Sequence, residues 1–302
     1  MNDHPGHRLR ELLKTSTVVA PGAFNALVAR AVATAGFDAC YVSGGATANV
    51  AGFPDIGLLT LEEVARTIRQ IADASGLPVL ADADTGYGQV ESVIRTVNEY
   101  ERAGAAGMHI EDQVFPKRCG HLDGKQLVPA DEMCRKIEAA VSHRIAPDFL
   151  VVARTDARGV TGMDDAVDRA MQYRSAGADM IFPEGLRSLD EFVEFADRCP
   201  GLLLANMTEF GKTPDITVSS FSQAGYDMVI FPLSLMRLAM GAVEEGLSVL
   251  SQDGSMGSVL DRMQTRAQLY ELLDYSPDRQ WVFPSGNSRA EAASPPPGTE
   301  QS

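Results

Sequence analysis

Short runs rich in Val, Ile, Leu and Ala recur along the chain, each followed by a polar or glycine-bearing loop and then a stretch whose apolar residues fall at helical spacing. That repeat is the signature of the βα unit. The pattern predicts strands at Thr17–Ala20, Ala39–Ser43, Pro78–Asp82, Ala106–Glu111, Phe149–Arg154, Asp179–Pro183, Leu202–Asn206 and Asp227–Phe231. Eight such strands joined by crossover helices close into a (β/α)8 TIM-type barrel, which leaves no sheet edge open. A doubly wound open sheet is the alternative, and the absence of a GxGxxG after any strand weighs against it. Helix boundaries agree with the pattern: Thr60-Leu61-Glu62-Glu63 reads as a capping start, and Ala103-Gly104 and Ala176-Gly177 read as glycine stops.

Two connections exceed the usual length, Gly44 to Thr60 and Asp112 to Ala130, and both read as covers over the barrel mouth. After the eighth strand the pattern gives a helix over about Leu233–Ser251 and a second over about Ser258–Tyr275, one more than a barrel needs. The domain thus spans residues 1–275. Residues 276–302 are rich in Pro, Ser, Gly and Glu and read as a tail without fixed structure.

With 302 residues, 45% hydrophobic and 22% charged, the chain has ample material for one barrel, which takes about 250 residues. Twenty-six Lys and Arg against forty-one Asp and Glu give a net charge of −15, the wrong sign for nucleic acid or an anionic membrane. No apolar stretch has the length of a signal peptide or a membrane span, so a cytoplasmic protein is expected. Cys40, Cys119, Cys134 and Cys199 lie far apart and form no CxxC pair, which makes free thiols the default.

Barrel enzymes take their chemistry from the C-terminal ends of the strands. Here those ends carry Tyr41 and Ser43-Gly44-Gly45, Asp82 and Asp84, Glu111 and Asp112, Arg154 and Asp156, Glu184, Asn206 and Thr208, with Arg237 just past the eighth. Any one of them is as readily a helix cap or a solvated loop residue. The set converging on one mouth points to a cation and an anionic ligand. Asp82 and Asp84 stand two apart, which on a strand puts both carboxylates on one face, and Glu111 ends the next strand. Oxygen ligands without thiolate or imidazole favour Mg²⁺ over zinc, although a DxD pair is also a common pair of loop caps.

The sharpest local signal is Lys117-Arg118-Cys119-Gly120-His121, where two cations and an imidazole flank one thiol, either stabilising its thiolate or poising it for proton transfer. No second pair at ligand spacing supports zinc there. None of the five lysines falls within a predicted strand, which disfavours Schiff-base chemistry.

YVSGG, DADTGYG, HIEDQ, PKRCGHLDGKQLVP, ARTDA, FPE, NMTEFGKTP and MQTR occur in the order found in the isocitrate lyase and phosphoenolpyruvate mutase superfamily, which residues 8 to 275 resemble. The KRCGH loop resembles the lyase branch. The compact chain and NMTEFGKTP resemble its members that cleave 2-methylisocitrate, and Phe182 stands where isocitrate-cleaving members tend to carry Trp.

The resemblance implies a Mg²⁺-dependent carbon–carbon lyase of the methylcitrate cycle, acting on a tricarboxylate and assembled as a homotetramer that exchanges a C-terminal helix. It implies Tyr41 as the base and Cys119 as the acid, with Lys117, Arg118 and His121 around the thiol. Ser43, Gly44, Gly45, Gly120, Arg154, Glu184, Asn206, Thr208, Arg237 and Arg266 would hold substrate, and Asp82, Asp84 and Glu111 would hold metal, directly or through water. Relatives acting on isocitrate, dimethylmalate, oxaloacetate or a carboxyphosphonate remain as alternatives, and so does a barrel that has lost catalysis.

Overall fold

The computed structural model describes residues 4–281. Its strands are β1 (Val18–Pro21), β2 (Cys40–Val42), β3 (Val79–Asp82), β4 (Gly107–Glu111), β5 (Leu150–Thr155), β6 (Met180–Pro183), β7 (Leu204–Asn206) and β8 (Met228–Phe231). All pair in parallel, in the ladders β2-β3-β4-β5-β6 and β7-β8-β1. Two bridges, Gly22 with Tyr41 and Ile181 with Leu203, join the ladders into a ring. The predicted barrel is the fold. Strand ends differ by a residue or two from the sequence reading.

The helices are α1 (Pro5–Leu13), α2 (Ala26–Thr34), α3 (Gly44–Val50), α4 (Leu61–Ser75), α5 (Val90–Arg102), α6 (Ala130–His143), α7 (Met163–Ser175), α8 (Leu189–Arg198), α9 (Val218–Gln223), α10 (Ser234–Asp253) and α11 (Arg266–Leu272). Thr60 makes the full capping box with Glu63, and Gly104 and Gly177 take the left-handed conformation after Ala103 and Ala176, as the sequence predicted. Strands buried on both faces explain the near-continuous apolar runs. One face packs on the helix layer through residues such as Ile68, Val93, Val97 and Phe195. The other fills the barrel interior with Val18, Leu80, Val152, Phe182, Leu204 and Met228.

Three features depart from the sequence reading. The Gly44–Thr60 connection opens with α3, capped by Ser43, whose hydroxyl oxygen accepts the Ala46 N–H. The predicted helix over Ser258–Tyr275 is instead a 3-10 turn at Gly257–Arg262 followed by α11, because Thr265 starts a new capping box with Gln268. The third is α1, which the sequence reading left without structure. Its Leu9 and Leu13 join the interior cluster, and Arg10 pairs with Asp179 at 2.8 Å while donating to the Asp148 carbonyl. A Cβ on Gly6 would lie 2.4 Å from the Asp148 carbonyl oxygen, so α1 presses against the starts of the strands and stoppers the end opposite the mouth.

Of the tail read as unstructured, residues 276–281 are described, with Trp281 Nε1 donating to the Leu273 carbonyl. Residues 282–302 lie outside the described residues. Among the described residues, no helix is long and apolar enough to cross a membrane.

Leu9 is fully buried in the stopper. Leu9→Ala is expected to lower unfolding free energy by about 2–5 kcal/mol, the usual cost of such a cavity. Urea denaturation checks this, and an unchanged midpoint would show that α1 does not support the barrel.

Candidate active site

The C-terminal ends of the strands and their loops enclose a cavity of about 270 Å³. Tyr41, Ser43, Gly45, Asp82, Lys117, Cys119, Gly120, His121, Arg154, Glu184, Asn206, Thr208 and Arg237 all line it, as the sequence predicted of the mouth. Gly44, Asp84, Glu111, Arg118 and Arg266 do not, and each has a physical reason.

Gly44 gives its N–H to Asp82 Oδ2 at 3.0 Å, so that amide is not free for a ligand. Asp84 lies beyond β3 in a turn at φ 47°, so its convergence with Asp82 comes from this strained turn and not from the strand pleat. The two carboxylates still meet: a Cβ on Gly44 would be 2.8 Å from Asp82 Oδ2 and 3.1 Å from Asp84 Oδ1. Glu111 lies beneath the floor, where Arg154 Nη1 stands 3.2 Å from its Oε2 and neither carboxylate oxygen has a hydrogen-bond donor. Burial pushes its carboxyl well above the usual range. Arg118 is exposed and donates to the Asp123 carbonyl at 3.1 Å, because adjacent side chains of an irregular loop diverge. Arg266 is exposed at the start of α11.

Lys117 also departs from its expected place beside the thiol. Its ammonium bridges Asp55 and Asp84, the latter at 2.8 Å. Burial, opposed by that ammonium, raises Asp84 to about 6. Cys119 therefore gains no thiolate-stabilising cation from this side, and burial raises its thiol above the ordinary value of 9.0. The thiol is held protonated. His121 accepts the Lys212 N–H on Nδ1 at 2.9 Å, which puts its proton on Nε2, 3.1 Å from Glu184 Oε1. Arg154 forks onto Asp156 at 2.9 and 3.1 Å and reaches Glu184 at 3.5 Å. Burial works to raise Glu184, but the guanidinium prevails and holds its carboxyl well below the usual range.

Several site residues escaped the sequence reading. Asp55 comes from the loop after α3. Glu209 lines the cavity and pairs with Arg237 at 3.0 Å, while Arg237 also donates to Thr208 Oγ1 at 3.0 Å. His109 of β4 points into the barrel, with Nε2 2.7 Å from the Tyr41 hydroxyl. Burial lowers this imidazole to about 4 and pushes the Tyr41 phenol far up, so both are uncharged. Inward alternation along β4 was the one sequence signal for His109.

Among the described residues, no three metal-ligating side chains form a ready cage. The carboxylates are nonetheless gathered at one place: Asp82 and Asp84 converge, the Lys117 ammonium joins Asp55 to Asp84, and neither Glu111 carboxylate oxygen has a hydrogen-bond donor. Mg²⁺ suits such a set, since it takes one or two carboxylates and keeps its waters.

Residues 9–250 match the family described as phosphoenolpyruvate phosphomutase. The chain is 51% identical to 2-methylisocitrate lyase of Aeropyrum pernix over 90% of this chain and 88% of that one. It is 54% identical to the probable 2-methylisocitrate lyase 1 of Corynebacterium glutamicum, over 87% and 88%. Among solved structures, 2,3-dimethylmalate lyase, a PEP mutase/isocitrate lyase superfamily member, superposes with a TM-score of 0.84 at 40% identity, covering 89% of this chain and 91% of that one. A phosphonopyruvate hydrolase solved with oxalate and Mg²⁺ gives 0.81 at 29% identity, covering 95% and 97%.

The raised thiol sets a pH expectation. Alkylation of Cys119 by iodoacetamide requires the thiolate, so its rate should be low at pH 7 and still climbing past pH 9. Peptide-resolved mass spectrometry across pH checks this, and a plateau below pH 8 would show a stabilised thiolate instead.

Proposed function

The chain belongs to the phosphoenolpyruvate mutase/isocitrate lyase superfamily, and from that premise we propose that it is the lyase that cleaves 2-methylisocitrate into pyruvate and succinate. The observation that carries this reading is the protonated Cys119 thiol facing the same small cavity as the uncharged Tyr41–His109 pair. A retro-aldol cleavage needs one group to take a proton from the C2 hydroxyl and another to give a proton to the carbon that leaves.

Mg²⁺, held by Asp82 and Asp84 directly or through water with Glu111 beneath, would supply positive charge to the oxygens of the 2-hydroxy acid half. The chain's own residues do the rest. Tyr41 takes the hydroxyl proton as its own passes to His109 Nε2, 2.7 Å away, and the imidazolium so formed faces the Asp82 carboxylate at 3.7 Å. The C2–C3 bond breaks, C2 becomes the ketone of pyruvate, and its electron pair stays on C3 of succinate. Cys119 protonates that carbon. Gly45 and the Ser43 hydroxyl, whose oxygen already caps α3 and whose proton is free to donate, face the pyruvate half. Arg154, Asn206, Thr208 and Arg237 orient the carboxylates, with Glu184 holding Asn206 at 3.1 Å and fixing His121.

The assembly fits a homotetramer that exchanges its C-terminal helix. In the single chain α10 buries none of its residues and exposes Met240, Val243, Leu247 and Leu250 on one side, a face that another copy would cover.

The test is pyruvate release from 2-methylisocitrate, run beside dimethylmalate, isocitrate and oxaloacetate. Release that is fastest with 2-methylisocitrate and abolished by EDTA is the expected result, and preference for another substrate would move the assignment to that relative. Cys119→Ser is expected to reduce kcat by about 10²–10⁴-fold while leaving product binding intact. Wild-type turnover in that variant would remove Cys119 from the acid role.

A further inference from the structure

The Lys117–His121 segment must hold its thiol steady over the cavity, yet it is part of a long irregular connection. Two side chains tie its backbone to the barrel: Gln113 holds the N–H and the carbonyl of Arg118, both at 2.9 Å, and a lysine holds Gly120 on the other side of the thiol. Lys125 is almost wholly buried, with 2% of its side chain exposed, and its ammonium folds back to donate to the Gly120 carbonyl while pairing with Asp156 Oδ1 at 2.7 Å. Asp156 is itself immobilised, since its N–H donates to Asp112 Oδ1 at 2.9 Å. Asp112 in turn accepts from Thr155 and Tyr173, both at 2.8 Å. The same Asp156 carboxylate receives the Arg154 fork. Gly120 fits this seat without slack, because a Cβ there would stand 2.5 Å from Arg154 Nη2 and 2.6 Å from Glu184 Cγ.

We propose that Lys125 is a positioning residue for the cleavage: by bridging the Gly120 carbonyl and Asp156 it holds Cys119 at the cavity and places it in register with Arg154. This rests on the lyase reading for its effect on turnover, but the geometry it describes is independent of substrate. A charge-assisted bond from a buried ammonium is directional enough to fix a backbone carbonyl. Its loss frees the Gly120 side of the thiol, and displacement of an acid by an ångström costs about 10²-fold in rate.

The experiment uses the full chain with Lys125→Met, which keeps the stem and removes the donors, and Lys125→Arg, which keeps the charge. Folding is checked by thermal unfolding, and alkylation by iodoacetamide is followed at Cys119, with Cys134 on α6 as internal control. In Lys125→Met, Cys119 is expected to react several-fold faster with Cys134 unchanged, and kcat to fall by about 10²-fold with KM changing far less. Lys125→Arg should recover part of both. If Lys125→Met does not fold, Lys125→Gln carries the same readouts, and failure of both to fold would overturn the proposal in favour of a purely structural lysine. A folded Lys125→Met variant with wild-type alkylation and kcat would overturn it too. Should the wild-type chain not cleave 2-methylisocitrate while Lys125→Met still exposes Cys119, the substrate assignment fails and the positioning role stands.

Discussion

Arg154 is the group on which the mouth of this barrel depends. Its guanidinium is buried at the end of β5 and meets Asp156, Glu111 and Glu184 within 3.5 Å. Removing it would leave Glu184 without its guanidinium counter-charge and Asp156 with Lys125 alone, and an unpaired buried charge costs several kcal/mol. Each carboxylate then extends the arrangement outward. Glu184 reaches His121 and Asn206, Asp156 reaches Lys125 and through it Gly120, and Glu111 gives its N–H to the Asp84 carbonyl. The loop that carries the thiol is therefore seated on the same ion network that faces the ligand.

The opposite end of the barrel uses charge differently. There α1 brings Arg10 to Asp179, and Arg144 meets the other oxygen of Asp179 at 2.7 Å. These pairs are partly exposed and worth less than the apolar burial of Leu9 and Leu13 beneath them. Packing holds the closed end, whereas pairing of buried charge holds the open one. Such a division lets the mouth keep polar groups poised for a ligand while stability is supplied elsewhere.

How legible this was in the sequence follows from which signals are periodic. All eight strands and most crossover helices were visible, because burial on two faces or one writes itself into runs and 3.6-residue spacing. Strand-end residues such as Tyr41, Arg154, Glu184 and Asn206 were found by the same logic. What failed was direction within irregular backbone. Lys117 and Arg118 are neighbours in sequence, yet one turns inward to Asp84 and the other outward to Asp123. Asp84 kept its partnership with Asp82 through a left-handed turn that no alternation rule anticipates. Asp55, on a loop with no period, gave no signal at all. The stopper helix was missed because its apolar positions are few and set among basic residues, and only the barrel end it fills makes them core.

The same burial has opposite consequences for paired and unpaired groups, and this decides which residue can do what. Arg154 and Glu184 stay charged because each has a counter-charge within a few ångströms. Cys119, Tyr41 and His109 lack one strong enough, so the low-dielectric site drives all three to their neutral forms. A neutral thiol is a proton donor and a poor nucleophile, which argues for protonation of a carbanion and against covalent catalysis at this cysteine. A neutral phenol bonded to a neutral imidazole, in turn, accepts a proton only by passing another on. The groups that move protons are thus kept uncharged by the same desolvation that makes the charged ones inseparable, and the mouth can hold an anionic substrate without titrating its own acid away.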